Sequence, residues 1–232
     1  MTEFQTTCWT LVLTAGSGGE EERCAALNEL CSAYWTPAYA YIRRRGQGEE
    51  EARDLTQEFF ARLLEKNWLE SAAPERGKFR AFLLTMLKRF LANEHDFATR
   101  EKRGGGAVLL PLDWDEAPEV ADKIESPEQA FDRRWALTVM HRAAVRLRAE
   151  AEVSGRLPLF AALSPFIAAD AEPGVYEETG AAFGMSKAAV AMTIHRLRLR
   201  LRELTREEVA ETVADRSNLE AEMQELMAAL RR

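Results

Sequence analysis

The stretch Glu51–Lys66 reads EARDLTQEFFARLLEK, and the spacing of its apolar residues decides the fold class. Leu55, Phe59 and Leu63 recur at four-residue steps, which is the repeat of one face of an α-helix and not of a β-strand. Glycines lie shortly upstream and break the chain there. The sequence therefore predicts a helix over about 49–65.

The same three- and four-residue spacing of apolar residues continues on both sides of this stretch. It predicts further helices around 27–42, over 79–103, from about 131 onward and near 157–168. The triplet Gly104–Gly106 ends the longest of them. Strand character is confined to Cys8–Leu13, and six residues cannot form a sheet alone. We therefore predict an all-α protein.

The composition excludes several classes of protein. Of 232 residues, 47% are hydrophobic and 30% charged, which suffices for a buried core and excludes a wholly disordered chain. No apolar run approaches the ~20 residues that span a bilayer, and no secretory signal is visible at the start. Three cysteines argue against a disulfide framework. These features predict a cytoplasmic protein without membrane insertion.

The net charge of −7 lies in one segment of the chain. Residues 107–132 hold eight acids and one base, whereas 76–103 and 186–202 each carry +5. Prolines and weak periodicity predict a flexible acidic linker over 104–127, which separates an N-terminal domain at 1–103 from a C-terminal domain at 128–204. An amphipathic helical extension follows at 205–232. We expect it to cover the core of the C-terminal domain or, alternatively, to bind a regulator.

The segment Val175–Arg202 reads VYEETGAAFGMSKAAVAMTIHRLRLRLR and predicts a helix-turn-helix. A short helix precedes a turn at Gly184, and Ser186 is suited to cap a second helix that starts at Lys187. We expect Val190, Ile194, Leu197 and Leu201 to pack against the first helix. The opposite face has small and cationic residues, which suit the major groove of DNA. The predicted DNA-contacting residues are Ser186, Lys187, Ala188, Ala191, Met192, His195, Arg196 and Arg198.

A second candidate surface lies in the N-terminal half. Asp54, Gln57 and Glu58 share one polar helix face. The next helix combines Lys88, Arg89, Asn93 and His95 with aromatic residues, and such a mixture suits single-stranded or melted DNA, whose bases stack and whose phosphates need counter-charge.

The segments EARDLTQEFFARLLEK, GKFRAFLLTMLKRFLANEHD and IHRLRLRLREL, in this order, resemble an extracytoplasmic-function (group IV) sigma factor of bacterial RNA polymerase. The resemblance covers about 20–103 and 128–204. It implies a region 2-like domain and a region 4-like helix-turn-helix domain. It also implies promoter recognition and DNA opening, with no catalytic residue, cofactor or metal.

The resemblance also implies a role for each surface. The polar helix face would dock on the clamp helices of the largest polymerase subunit, through Glu51, Asp54, Gln57 and Glu58. The loop at 67–78 and the helix at 79–103 would open and read the −10 element, through Lys78, Arg80, Lys88, Arg89, Asn93 and His95. The helix at 187–202 would read the −35 element, and the linker would thread the RNA channel. Further implied partners are the polymerase flap and an anti-sigma protein.

The sequence departs from the pattern of that family in two places. Ala191-Met192-Thr193 stand where basic residues are usual, so base reading would rest on contact with thymine methyl groups together with His195 and Arg196. Arg53 stands where an acid is common. Phosphorylation of the nearby Thr56 would add about −1.5 to −2 charges. One hypothesis is therefore that a kinase activates docking through Thr56, and the alternative is that Thr56 is an ordinary helical threonine.

Two other classes of function compete with this interpretation. A free-standing helix-turn-helix regulator, which does not require core polymerase, explains 175–202 but leaves the first domain without a role. An enzyme is disfavoured, because His95, His141 and His195 fall in separate helices with no metal-ligand spacing. No nucleophile turn or phosphate-binding loop occurs either.

Overall fold

The computed structural model describes residues 20–65, 78–103, 125–169, 174–213 and 215–231. Within these ranges it contains nine α-helices, one 3₁₀ turn at Arg216–Asn218 and no strand, so the all-α prediction is confirmed. The strand-like stretch Cys8–Leu13, the loop at 67–77 and most of the acidic linker lie outside the described residues. The helices are α1 Glu20–Arg44, α2 Glu49–Glu65, α3 Phe79–Arg103, α4 Pro127–Val153, α5 Leu157–Leu163, α6 Pro165–Ala168, α7 Val175–Ala182, α8 Lys187–Ala210 and α9 Leu219–Arg231.

The chain divides into two compact units, and the division falls within α4. The first unit runs to Thr138 and also includes 210–232, whereas the second comprises Val139–Val209. The start of α4 and the C-terminal extension therefore belong with the N-terminal helices. The sequence had instead placed domain boundaries at 103, 128 and 204.

Aromatic residues form the core of the first unit. Tyr34 of α1 meets the ring of Phe79 edge-on, with the centroids 5.2 Å apart. Phe59 of α2 lies 5.7 Å from Phe90 of α3, centroid to centroid. These contacts follow from the helical period, which brings one apolar stripe of each helix to a common centre.

The extension adds to this core through α9. Leu219, Leu226 and Ala229 are buried, and so is the carboxylate of Glu222. The expectation that the extension covers the core of the C-terminal domain is therefore wrong, because α9 lies in the first unit. Its apolar residues and Glu222 share one face, and Lys78 and Arg80 of that unit provide the cations that a buried carboxylate requires.

The second unit has two linked apolar clusters. In one, Ala143 and Leu147 of α4 pack with Leu204 of α8. In the other, Leu163 of α5 packs with Val190 and Ile194 of α8, and Tyr176 of α7 covers them. The predicted apolar face of α8 is thus confirmed at Val190 and Ile194, and Leu197 packs against both clusters. Leu201 packs in the first cluster, with α4.

Candidate functional site

The turn between α7 and α8 depends on two glycines. Gly184 has φ +64°, a left-handed conformation that glycine adopts without strain. Gly180 is buried, and its carbonyl accepts a hydrogen bond from the amide of Met185 at 2.8 Å. A Cβ at position 180 would lie 2.5 Å from the carbonyl oxygen of Met185. Both helices can therefore approach closely only with glycine there.

Ser186 caps α8, as the sequence predicted. The amide of Ala189 donates to the Ser186 hydroxyl at 3.2 Å, which satisfies one of the free amides at the start of the helix. The cap fixes where α8 begins and hence which residues face outward.

The outward face of α8 is small and cationic. Its members recur with helical spacing and are exposed, with Met192 retaining 53% of its accessible surface. They are Lys187, Ala188, Ala191, Met192, His195 and Arg196. Lys187 also pairs with Glu177 of α7 across 2.7 Å, an exposed contact of small energy. The predicted DNA-contacting residues of this face are therefore accessible to solvent.

Arg198 does not belong to this outward face. Its guanidinium donates to the carbonyls of Phe166 at 2.7 Å and Ile167 at 3.1 Å, in α6, and to that of Ala169 at 3.3 Å. Carbonyls at a helix end lack partners within the helix, and Arg198 satisfies them. The geometry gives Arg198 a structural role in the unit.

Ion pairs join α8 to α4. The guanidinium of Arg200 donates two hydrogen bonds to the carboxylate of Glu150, at 2.7 and 3.0 Å. The hydrogen bond from Arg200 lowers the pKa of Glu150 below its ordinary value. Arg146 donates to Glu208 at 2.8 Å and to Glu207 at 2.5 Å. These pairs join the second half of α8 to α4.

The polar face of α2 is exposed at all four predicted docking positions, which are Glu51, Asp54, Gln57 and Glu58. Glu58 pairs with Arg62 at 2.5 Å, and Arg62 pairs with Glu94 of α3 at 2.5 Å. Within the described residues, Asp54 forms no ion pair. The face thus presents carboxylates on a helix whose other side is anchored in the core.

Thr56 lies on the opposite side of α2. Its side chain is 0% exposed, and its hydroxyl donates to the carbonyl of Ala52 at 2.6 Å. A kinase would reach this hydroxyl only after α2 had opened. The geometry therefore weighs against the phosphosite hypothesis in this conformation.

The predicted DNA-binding residues of α3 fall into two groups. Arg89 and Asn93 are exposed, and His95 is half-buried. Lys88 is also exposed and pairs with Glu128 of α4 at 2.7 Å. Burial would raise the pKa of Glu128, but the hydrogen bond and charge of Lys88 lower it overall.

Lys78 and Arg80 form the second group and lie in an ion-pair network. The Lys78 ammonium is 2.6 Å from Glu222 and 2.5 Å from Glu225. Arg80 is only 8% exposed, donates to Glu222 at 2.5 Å, and also pairs with Glu225 and Asp132. Burial alone would lower the pKa of Arg80, but Glu222 and Asp132 raise it overall. Both cations are thus engaged inside the first unit.

The sequence analysis missed Asp132, Glu222 and Glu225 as members of this network. One signal was available for Glu222, because it follows Leu219 by three residues and precedes Leu226 by four. An acid at such a position stands in the apolar stripe of its helix. A buried acid needs a cation, so the pattern pointed to an ion pair without saying which base supplies it.

Metal binding and membrane insertion find no support in the part of the chain that the structure describes. No group of three or more potential ligands could hold a metal ion there. No described helix is long and apolar enough to cross a bilayer.

Comparison with known families gives one match. Residues 30–101, about a third of the chain, match the family model of sigma-70 region 2. This range holds most of α1, all of α2 and most of α3. The match supports a sigma-70 type protein, whose region 2 binds RNA polymerase and melts promoter DNA. Sigma factors are not an enzyme family. No curated protein and no solved structure matched the chain.

Proposed function

We propose that this chain is a bacterial sigma factor of the extracytoplasmic-function type. It binds core RNA polymerase and directs promoter recognition and DNA opening. The observation that carries the proposal is the match of residues 30–101 to sigma-70 region 2. The tight turn between α7 and α8 and the exposed small and cationic residues of α8 support it. The protein then acts in the cytoplasm, where RNA polymerase is located.

Docking on the clamp helices is assigned to the exposed face of α2. Glu51, Asp54 and Glu58 offer carboxylates, and Gln57 adds an amide. Charge complementarity at such a surface sets orientation and association rate more than total affinity. Arg53 is exposed beside this face and pairs with Glu49 at 3.4 Å. A positive charge at that position opposes the acidic character of the face.

Promoter reading is assigned to two helices. The first half of α8 reads the −35 element in the major groove, where Ala188 and Ala191 permit close approach and Met192 meets thymine methyl groups. Arg89 and Asn93 of α3 contact the −10 element, and aromatic and cationic groups of the region 2-like unit suit a melted strand. The acidic linker passes through the RNA channel, and an anti-sigma protein restrains the factor.

The test of the proposal is retention of the chain by immobilised core polymerase. Asp54→Arg should weaken retention because it reverses a charge on the docking face. Arg53→Glu should strengthen retention because it replaces the positive charge beside that face with a negative one. Glu152→Arg is the matched control, since Glu152 is exposed on α4 in the other compact unit. Absence of retention at low salt would overturn the proposal and favour the free-standing helix-turn-helix regulator.

A further inference from the structure

The helix α9 places acids against Lys78 and Arg80, two cations that the resemblance stated above implies as contacts of the −10 element. Its buried face contains Leu219, Leu226 and Ala229, and Glu222 lies among them with 0% of its surface exposed. A carboxylate is rarely buried in this way unless opposite charges meet it. The apolar residues attach α9 to the first unit, and Glu222 sets the position at which it attaches.

The acids of α9 satisfy both cations at the start of α3. The Lys78 ammonium lies 2.6 Å from one oxygen of Glu222 and 2.5 Å from one of Glu225. The Arg80 guanidinium takes both oxygens of Glu222, at 2.5 and 3.3 Å, and also pairs with Glu225. The central guanidinium carbon, Cζ, lies over the ring of Trp135, 4.6 Å from the ring centroid. Arginine binds phosphate groups through the same bidentate hydrogen bonding that Arg80 makes to Glu222.

We propose that α9 is an intramolecular competitor of nucleic acid, in which Glu222 and Glu225 take the positions of DNA phosphates on Lys78 and Arg80. The inference rests on the proposed function in one respect, namely that a DNA strand passes this part of the region 2-like unit. Binding of that strand requires α9 to leave, and so the closed chain binds single-stranded DNA weakly. Core polymerase or promoter DNA shifts the chain to the open state.

The competition has a measurable consequence for salt dependence. Each cation that neutralises a phosphate of a single strand contributes about 0.7 to the slope of log affinity against log salt. Release of Lys78 and Arg80 should therefore steepen the slope by about 1.4 and raise affinity at ordinary salt by roughly one order of magnitude. A closed state lowers apparent affinity by the fraction of open molecules, which accounts for the weaker binding before release.

The experiment measures binding of a fluorescent single-stranded DNA to the full chain by anisotropy, across a salt series. Glu222→Gln/Glu225→Gln removes both competing charges and should bind more tightly, with the steeper slope. Glu21→Gln/Glu152→Gln changes the net charge equally at exposed positions and should bind like the unsubstituted chain. Addition of Lys78→Gln/Arg80→Gln to the first variant should abolish its gain. Equal affinity and slope for the two glutamine variants would overturn the proposal.

Hydrogen exchange of the unsubstituted chain gives a second test that needs no variant. Saturating single-stranded DNA should accelerate amide exchange in 219–231, because α9 leaves its site. Unchanged or slower exchange there, with DNA bound, would also overturn the proposal. Failure of the proposed function looks different: the charge-removed variant would still gain DNA affinity, but core polymerase would not retain the chain.

Discussion

The guanidinium of Arg80 donates to the carboxylate of Glu222 at 2.5 Å, although 142 positions separate the two residues in the chain. Both side chains are buried, and Lys78, Asp132 and Glu225 complete the network. The contact joins the C-terminal helix to the helices of the first compact unit. It also means that two predicted DNA-binding cations already have anionic partners within the protein.

Removal of either Arg80 or Glu222 should lower the free energy of unfolding. Arg80→Met leaves the Glu222 carboxylate buried without its main partner, and such a break typically costs about 3–5 kcal/mol. The double substitution Arg80→Met/Glu222→Met replaces both charges with apolar groups and should recover much of that loss. Urea unfolding, followed by circular dichroism, measures the free energy of unfolding of the single and the double variant.

The control for this prediction is an exposed ion pair. Arg53→Met breaks the contact with Glu49, which lies at the surface and should cost less than about 1 kcal/mol. An Arg80→Met chain as stable as the Arg53→Met chain would show that the buried network contributes nothing to the fold.

Gly180→Ala tests the close approach of α7 and α8. The added methyl group would meet the Met185 carbonyl oxygen at 2.5 Å, so the turn must shift at a cost of about 1–3 kcal/mol. Duplex DNA binding should fall with it, because α8 would be presented at another angle. Gly48→Ala is the control, since nothing lies within 4 Å of a Cβ there. Equal thermal stability of the two variants would argue against the tight turn.

Arg196 and Arg198, two residues apart, should behave differently. Arg196→Ala removes a cation from the exposed face and should weaken specific duplex binding by about 1–3 kcal/mol, with an unchanged melting temperature. Arg198→Ala removes the donor to the carbonyls of Phe166 and Ile167 and should lower the melting temperature. The assignment fails if Arg198→Ala leaves stability intact and reduces only DNA binding.

Thr56→Asp tests whether the chain accepts a negative charge at the predicted phosphosite. The side chain is 0% exposed, so an ionised aspartate there should destabilise the first unit by roughly 3 kcal/mol or more. Thr56→Val keeps the shape and should remain folded. A Thr56→Asp chain that folds normally and binds core polymerase more tightly would support the phosphosite and contradict the burial argument.

Helix positions could be predicted from the sequence because periodicity and breakers are local properties. The bounds Glu49–Glu65 and Phe79–Arg103 agree with the spacing of apolar residues and the flanking glycines. Ser186 was likewise predictable as a cap, since a serine hydroxyl satisfies an amide three residues away. Local chemistry alone therefore accounts for the turn between α7 and α8 and for the start of α8.

Long-range partners could not be predicted in the same way. The periodicity of α9 shows that one face is apolar, but it carries no information about what covers that face. In the sequence, Arg198 looks like the other cations of α8. Only its hydrogen bonds to the carbonyls at the end of α6 show that it has a structural role. The position of α9 and the role of Arg198 both depend on partners that lie far away in sequence.

Run-off transcription with purified core polymerase tests the central claim most directly. The account predicts that transcripts start at defined promoter positions only when this chain is added. It further predicts that Arg196→Ala reduces them and Glu152→Arg does not. Core polymerase that gives no new transcripts with the chain, on genomic fragments from the source organism, would contradict the assignment as a sigma factor.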